Sequence, residues 1–307
     1  MSTQRRSTGR RGFLAALGGA TGLSAAVGVS GCVASGGEER SDTGPVSVLA
    51  AGSLQAAMRG LDEAVEPTVE SEAHGSVTVA RQVASGRRDP DIVALADTAL
   101  FDGPMDAPWH AAVATNALVV AYDGDTEAGR RVAAADRWFD PVLTGDVSLG
   151  RTDPDLDPLG YRTVFSLALA GEHYDEPDLR ERLLDREQVY PETSLLGRFE
   201  TGAVDAAVVY RSMAVDRGYD YRELPTAVDL SDPDRADRYA TATYEFDDGE
   251  TVRGAPIEYG AVARTDREPV RQVFETLASG GVLADHGFSV PDSLPHYAGE
   301  VPDGFGD

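Results

Sequence analysis

The run Thr152-Asp153-Pro154-Asp155-Leu156-Asp157-Pro158-Leu159-Gly160-Tyr161-Arg162 constrains the fold more than any other stretch of the chain. A short β-like segment, Val147 to Gly150, precedes it, and Thr163 to Ala170 follows with apolar residues at helical spacing. Two prolines stiffen the loop, and Gly160 lets backbone approach closely. The segment therefore predicts a strand, a rigid loop and a helix N-terminus, a geometry that gathers free backbone N–H groups and suits an anion. An acidic surface turn is the bland alternative for the same residues.

The same order recurs along the chain. Val46 to Ala51 reads as a buried strand turned by Gly52-Ser53 into a helix from Leu54 to Val65, with Ser53 as its natural N-cap. Val77-Thr78-Val79 reads as extended, before a short helix closed by Gly86. Asp91 to Ala96 is a third strand, with Asp97 capping the turn behind it, and Ala117 to Tyr122 is a fourth. Helices are expected over Tyr161 to His173, Asp178 to Leu184 and Ser194 to Glu200. Val204 to Tyr210 follows as a strand that runs into a helix at Arg211, and Ala255 to Ala263 is a further strand before two final helices. Alternation of this kind predicts an α/β architecture with a parallel sheet. Ligands in such folds sit beyond the carboxyl ends of strands, here at Ser53, Asp97, Gly160 and Tyr210.

Charge excludes one class of partner. Across 307 residues there are 52 acidic and 27 basic side chains, a formal net charge of −25, and every basic residue other than histidine is arginine. A lysine-free acidic surface fits a halophilic protein in concentrated salt, where long-range repulsion is screened, and argues against nucleic acid. It also devalues any argument from paired carboxylates, because acids are abundant everywhere.

The N-terminus reads as an address. Arg10-Arg11-Gly12-Phe13-Leu14 is a twin-arginine signal, and the glycine-broken apolar run to Val29 is weak for a membrane span. It ends in Val29-Ser30-Gly31-Cys32, which resembles a lipobox and makes Cys32, the sole cysteine, the expected lipidation site. Val33 to Pro45 reads as a flexible tether. His74, His110, His173, His286 and His296 stand singly, without metal spacing. A hydrolase reading finds no Gly-x-Ser-x-Gly elbow and no plausible Ser/His/Asp arrangement, so the chain reads as no enzyme.

Five segments carry a resemblance: Ala51-Gly52-Ser53-Leu54, Asp91 to Asp97, Asn116-Ala117-Leu118-Val119, Asp153 to Arg162 and Pro256-Ile257-Glu258-Tyr259-Gly260. Their order resembles that in molybdate/tungstate-binding proteins of ABC importers, the archaeal branch above all, from about Val46 to Ser293. The resemblance implies a type II periplasmic-binding-protein fold, two α/β lobes joined by a hinge around a central cleft. It implies that Ser53 gives its hydroxyl and N–H to an oxyanion, that Asp157, Gly160 and Tyr161 lie in a segment contributing backbone N–H groups, and that Tyr210 lines the cleft. In the archaeal branch an Asp at the position of Asp157, with a Glu just before the tyrosine, makes the bound metal six-coordinate. Here Val209 replaces that Glu, and Leu95 stands where a second serine is usual, so the expectation is a four-coordinate oxyanion held by hydrogen bonds. Asp157 is the one residue that could still approach its metal.

These readings predict a signal peptide over 1–32, a tether over 33–45, lobe 1 over 46–115 and lobe 2 over 116–261. The chain should return to lobe 1 over 262–295 and end in a tail, 296–307. The expected protein is a monomeric, lipid-anchored solute-binding component on the extracellular face of the membrane. It needs no cofactor, binds molybdate or tungstate and serves an ABC permease. The alternative keeps the fold and binds sulfate or a small organic anion. Ser53 also reads as a plain cap, Asp157 as a loop acid, Tyr210 as core and Asn116 as a hinge residue.

Overall fold

The structure, a computed structural model, describes residues 44–186, 188–247 and 249–306. The signal sequence, Cys32 and the tether as far as residue 43 lie outside the described residues.

Thirteen strands form among the described residues. They are β1 (Val46–Ala51), β2 (Val69–His74), β3 (Ile92–Leu95), β4 (Trp109–Thr115), β5 (Leu118–Tyr122), β6 (Leu149–Thr152), β7 (Gln188–Tyr190), β8 (Ala206–Tyr210), β9 (Asp220–Glu223), β10 (Thr243–Glu245), β11 (Thr251–Arg253), β12 (Glu258–Ala263) and β13 (His296–Gly299). One sheet has the order β13-β4-β12-β3-β1-β2, a second has β7-β6-β8-β5-β9, and β10 and β11 form a separate hairpin. These are the two α/β lobes expected. The central strands are apolar on both faces, as burial beneath helices on either side requires; β3 (Ile-Val-Ala-Leu) and β8 (Ala-Ala-Val-Val-Tyr) are buried at every position.

The sheets are not wholly parallel. β1 runs parallel to β2 and β3, and β6 parallel to β7 and β8. β12 is antiparallel to β3 and β4, β13 to β4, and β5 to β8 and β9. The antiparallel strands β5 and β12 arise where the chain crosses between lobes, because a strand entering from the other lobe inserts without the crossover helix that keeps neighbours parallel. The expected boundaries shift with the strands. β12 completes the first sheet although it falls mostly within 116–261, and β13 is an edge strand of that sheet rather than a tail.

The crossings lie side by side. Asn116, between β4 and β5, donates its N–H to Ile257 O just before β12, and Leu118 N–H reaches Asp229 O. The Asn116 side chain fixes this corner: its Nδ2 donates to Ser212 Oγ at 2.8 Å, while its Oδ1 accepts from the N–H groups of Ala117 and Ser212.

Two local expectations are corrected. Val77-Thr78-Val79 belongs to the helix Ser76–Ala84, and the preceding strand is β2. Ser76, Val79, Ala80 and Val83 are buried at helical spacing and Val77 beside them, so burial overrides the strand preference of the β-branched residues. Ser53 is not a helix cap. It lies in a 3-10 turn, Gly52–Leu54, ahead of the helix Gln55–Ala64, and no side chain caps either element.

Candidate functional site

The first lobe brings two helix beginnings to the cleft. β1 ends at Ala51 and delivers Ser53, which is 7% exposed and accepts a 3.0 Å hydrogen bond from the Tyr259 hydroxyl on β12. β2 ends at His74, and Gly75 turns the chain into the helix that starts at fully buried Ser76. Ser76 Oγ accepts the N–H of Ala96 at 3.0 Å. A side chain at Gly75 would come within 2.4 Å of Leu156 O on the opposite lobe, so glycine is what lets the lobes approach there.

The second lobe answers with two carboxyl groups. Asp157 ends the proline-stiffened loop after β6 and caps the helix Pro158–His173, its Oδ1 accepting from Gly160 N–H at 3.1 Å and Thr152 Oγ1 at 2.8 Å. Glu192 is the first residue of the helix Glu192–Glu200, and its Oε2 accepts the N–H of Gly52 across the cleft at 3.0 Å. Asp157 is fully buried and Glu192 is 4% exposed. Asp157 Oδ2 and Glu192 Oε1 have no hydrogen-bond partner. Burial pushes the Asp157 carboxyl above the ordinary range, against its bonds from Thr152 and Gly160. Burial likewise pushes Glu192 well up, and the neighbouring charge of Asp157 adds to it. Two acids with orphaned oxygens, held together away from water, are costly to keep in an empty site.

A cavity of about 200 Å³ opens beside Glu192, lined by Gly52, Ser53, Glu192, Ser212, Arg217 and Phe288 among others; Asp157, Ser76 and Tyr210 do not line it. Tyr210, at the end of β8, is fully buried, its ring edge-on to Tyr259 with centroids 5.6 Å apart. Its hydroxyl accepts Arg162 Nη1 at 2.9 Å. The same guanidinium reaches across the cleft, through Nη1 to Ala96 O and through Nη2 to Asp97 at 3.2 Å.

The expected residues thus divide. Ser53, Asp157 and Tyr210 all lie at the lobe junction. Gly160 spends its N–H on Asp157, and its Cα faces Asp153 and Pro154 so closely that a Cβ would fall 2.5 Å from their backbone; it shapes the loop. Tyr161 points to the junction by another route, its hydroxyl donating to Asp97 Oδ2 at 2.5 Å. Asp97 caps Ala99 N–H as expected and holds Tyr161 and Arg162 as well. Leu95 and Val209 are core residues of β3 and β8.

Ser76 and Glu192 were missed. The N-terminal Gly75-Ser76 of a helical run was a usable signal for the first. For Glu192 the signal is Pro191 before the helix, which moves its start two residues ahead of Ser194. Among the described residues no group of three or more His, Cys, Asp or Glu side chains could hold a metal ion, and no helix is long and apolar enough to cross a membrane.

The family model described as bacterial extracellular solute-binding protein matches residues 46–284. The chain is 57% identical over 298 residues, 95% of each chain, to a Haloferax volcanii protein provisionally named an ABC transporter molybdenum-binding protein. It is 28% identical to the molybdate/tungstate-binding protein WtpA of Thermococcus kodakarensis, over 77% of this chain and 78% of that one. Among solved structures, the periplasmic molybdate-binding protein of Azotobacter vinelandii superposes with a TM-score of 0.55 over 80% of this chain and 100% of that one; at 13% identity this shows the fold.

Proposed function

The chain belongs to the bacterial extracellular solute-binding protein family, and from that premise we propose that it is the solute-binding component of an ABC importer that captures molybdate or tungstate. One observation carries the choice of solute: Asp157 and Glu192, buried side by side, each keep a carboxyl oxygen without a partner. Glu192 supplies the second carboxyl that Val209 does not. The reading therefore moves from a four-coordinate oxyanion to one whose metal also accepts an oxygen from each acid. Ser53, Ser76 and Tyr210 supply hydroxyl donors to the oxo groups.

The same pair works against sulfate. Two acids beside a buried dianion repel it, and sulfur offers no open coordination position to turn that repulsion into a bond. Molybdenum and tungsten do. The names of the Haloferax and Thermococcus relatives support this choice.

The address completes the proposal. Export by the twin-arginine route and a lipid on Cys32 would hold a monomeric receptor at the outer face of the membrane, beside its permease. The acidic, lysine-free composition suits concentrated salt. The protein is a carrier and not an enzyme.

Thermal unfolding in molar salt, titrated with molybdate, tungstate, sulfate and phosphate, tests the reading. A ligand at a hundred times its dissociation constant adds about 2.7 kcal/mol of stability. Molybdate and tungstate are expected to raise the transition, and sulfate and phosphate to leave it unchanged. A sulfate-only shift transfers the protein to the alternative solute, and no shift with any oxyanion overturns the proposal.

A further inference from the structure

The three hydroxyls of the site share a feature that neither their identity nor their position predicts. Each has its oxygen already engaged as an acceptor. Tyr259 OH donates to Ser53 Oγ, Ala96 N–H to Ser76 Oγ, and Arg162 Nη1 to Tyr210 OH. A hydroxyl whose oxygen accepts in this way keeps its own proton to donate elsewhere. Two of the three donors come from the hydroxyl's own lobe, through β12 for Ser53 and the end of β3 for Ser76. Arg162 differs because it spans both lobes.

Arg162 belongs to the second lobe, on the helix Pro158–His173, and its side chain is 4% exposed. Nη1 reaches Tyr210 in its own lobe and Ala96 O in the other. Nη2 meets Asp97 Oδ2 at 3.2 Å, and Tyr161 OH donates to the same carboxylate oxygen. Ala96 is therefore a shared post: its N–H holds Ser76, and its C=O holds Arg162. A buried guanidinium is stable when its partners are complete, and here two of the three lie across the cleft. Opening the lobes strips Arg162 of Ala96 and Asp97 together.

We propose that Arg162 is a positioning residue that clasps the lobes shut and, in the closed form, turns the Tyr210 hydroxyl proton toward the bound oxyanion. The clasp rests on the receptor reading for its ligand, but lobe closure itself can be measured with no ligand present. It couples closure to recognition: the tyrosine donor is fixed by the same group that senses the opposite lobe.

The test is hydrogen exchange on the full-length chain, read at two amides that donate across the cleft, Gly52 to Glu192 and Thr78 to Leu156 O. Arg162→Gln is expected to speed exchange at both amides in the ligand-free protein, while amides inside β3 and β8 keep their protection. Arg162→Lys, which retains the charge but not the fork, is expected to restore part of it. Asp97→Asn provides a second route if Arg162→Gln does not fold, since Asn retains an acceptor for the Ala99 cap and weakens the pair. Molybdate affinity is expected to fall roughly 10-fold or more in Arg162→Gln, and Tyr210→Phe should show little further loss on that background. Unchanged exchange at Gly52 and Thr78 in both Arg162→Gln and Asp97→Asn overturns the clasp. Additive affinity losses for Arg162→Gln and Tyr210→Phe overturn the positioning role. A wild-type chain that binds no oxyanion defeats the receptor reading, while the exchange rates still decide the clasp.

Discussion

Asp91 and the Asp157–Glu192 pair are all buried carboxyls, and the protein treats them in opposite ways. Asp91, at the threshold of β3, accepts from Ser47 N–H at 2.9 Å, Ser47 Oγ at 2.8 Å and Thr265 Oγ1 at 2.8 Å, and meets Arg267 at 2.9 Å. Burial disfavours its charge, yet the bonds from Ser47, Thr265 and Arg267 win and hold it down to about 2. Asp157 and Glu192 lie deeper, and there burial wins and both are raised. The difference is depth together with satisfaction. A completed set of donors turns a buried acid into a structural fastener, and an incomplete set stores a demand that a ligand can meet.

Removing the satisfied acid should cost the most. Asp91→Ala leaves Arg267 facing a void and the Ser47 N–H without its carboxylate, and should destabilise the protein by ~3–5 kcal/mol. Unfolding by urea at constant salt measures it. The ligand-induced shift should survive in the folded fraction, because Asp91 lies away from the cleft. A loss below about 1 kcal/mol, ordinary for exposed pairs, would erase the contrast between the two kinds of buried acid.

Glu192→Gln should act with the opposite sign on the empty protein. It removes a charge that burial penalises while keeping an acceptor for Gly52 N–H, so the ligand-free form should gain about 1–3 kcal/mol near neutral pH. The stabilisation by molybdate should shrink at the same time. Asp157→Asn should behave alike, since Asn also serves as an N-cap. Thermal unfolding with and without molybdate separates the two effects. A variant that loses stability when empty and keeps its molybdate shift would place Glu192 among the structural acids.

The two kinds of acid also divide the pH scale. Asp91 has a folded value of about 2, below its ordinary 3.8, so its stabilisation is complete above that range and is lost as pH falls toward 2. The raised pair works the other way. The folded state holds its protons more tightly, so the empty protein should lose stability as pH rises from the ordinary carboxylate range toward the raised values. Unfolding midpoints across pH in constant molar salt should therefore fall on both sides of a maximum in the acid range. In Glu192→Gln the alkaline slope should flatten and the acid slope should remain.

Sequence reasoning reached one half of this comparison and missed the other. Asp157 was visible because the prolines at 154 and 158 and Gly160 frame it in a stiff loop, and such a frame is uncommon. For Glu192, Pro191 marks a helix start but not a role: it is one of 52 acidic residues, and its part depends on the fold bringing Gly52 opposite it. Ser76 was hidden differently, by Val77-Thr78-Val79, whose β-branched side chains read as strand while tertiary packing keeps them helical. β1, β3, β5, β8 and β12 were legible as apolar runs bounded by turn residues. β4, rich in alanine, and the hairpin β10–β11, held outside the two sheets, gave no such contrast with their surroundings. Patterns that report burial can be read locally, whereas pairings made across the cleft cannot.

Tyr259 OH completes the acceptor side of Ser53 as Ser47 completes Asp91, so it is a satisfied group serving an unsatisfied site. Tyr259→Phe keeps the ring against Tyr210 and Phe288 and removes one neutral hydrogen bond, worth about 0.5–1.5 kcal/mol. If the bond serves folding alone, the loss appears in the empty protein and molybdate binds as before. If it turns the Ser53 proton toward the anion, the loss appears in affinity, because a rotating Ser53 hydroxyl in the variant must be ordered on binding. Calorimetric titration of Tyr259→Phe beside Ser53→Ala decides between them. With an orienting role, the double variant should bind no more weakly than Ser53→Ala, because Tyr259 acts through a hydroxyl that is then absent.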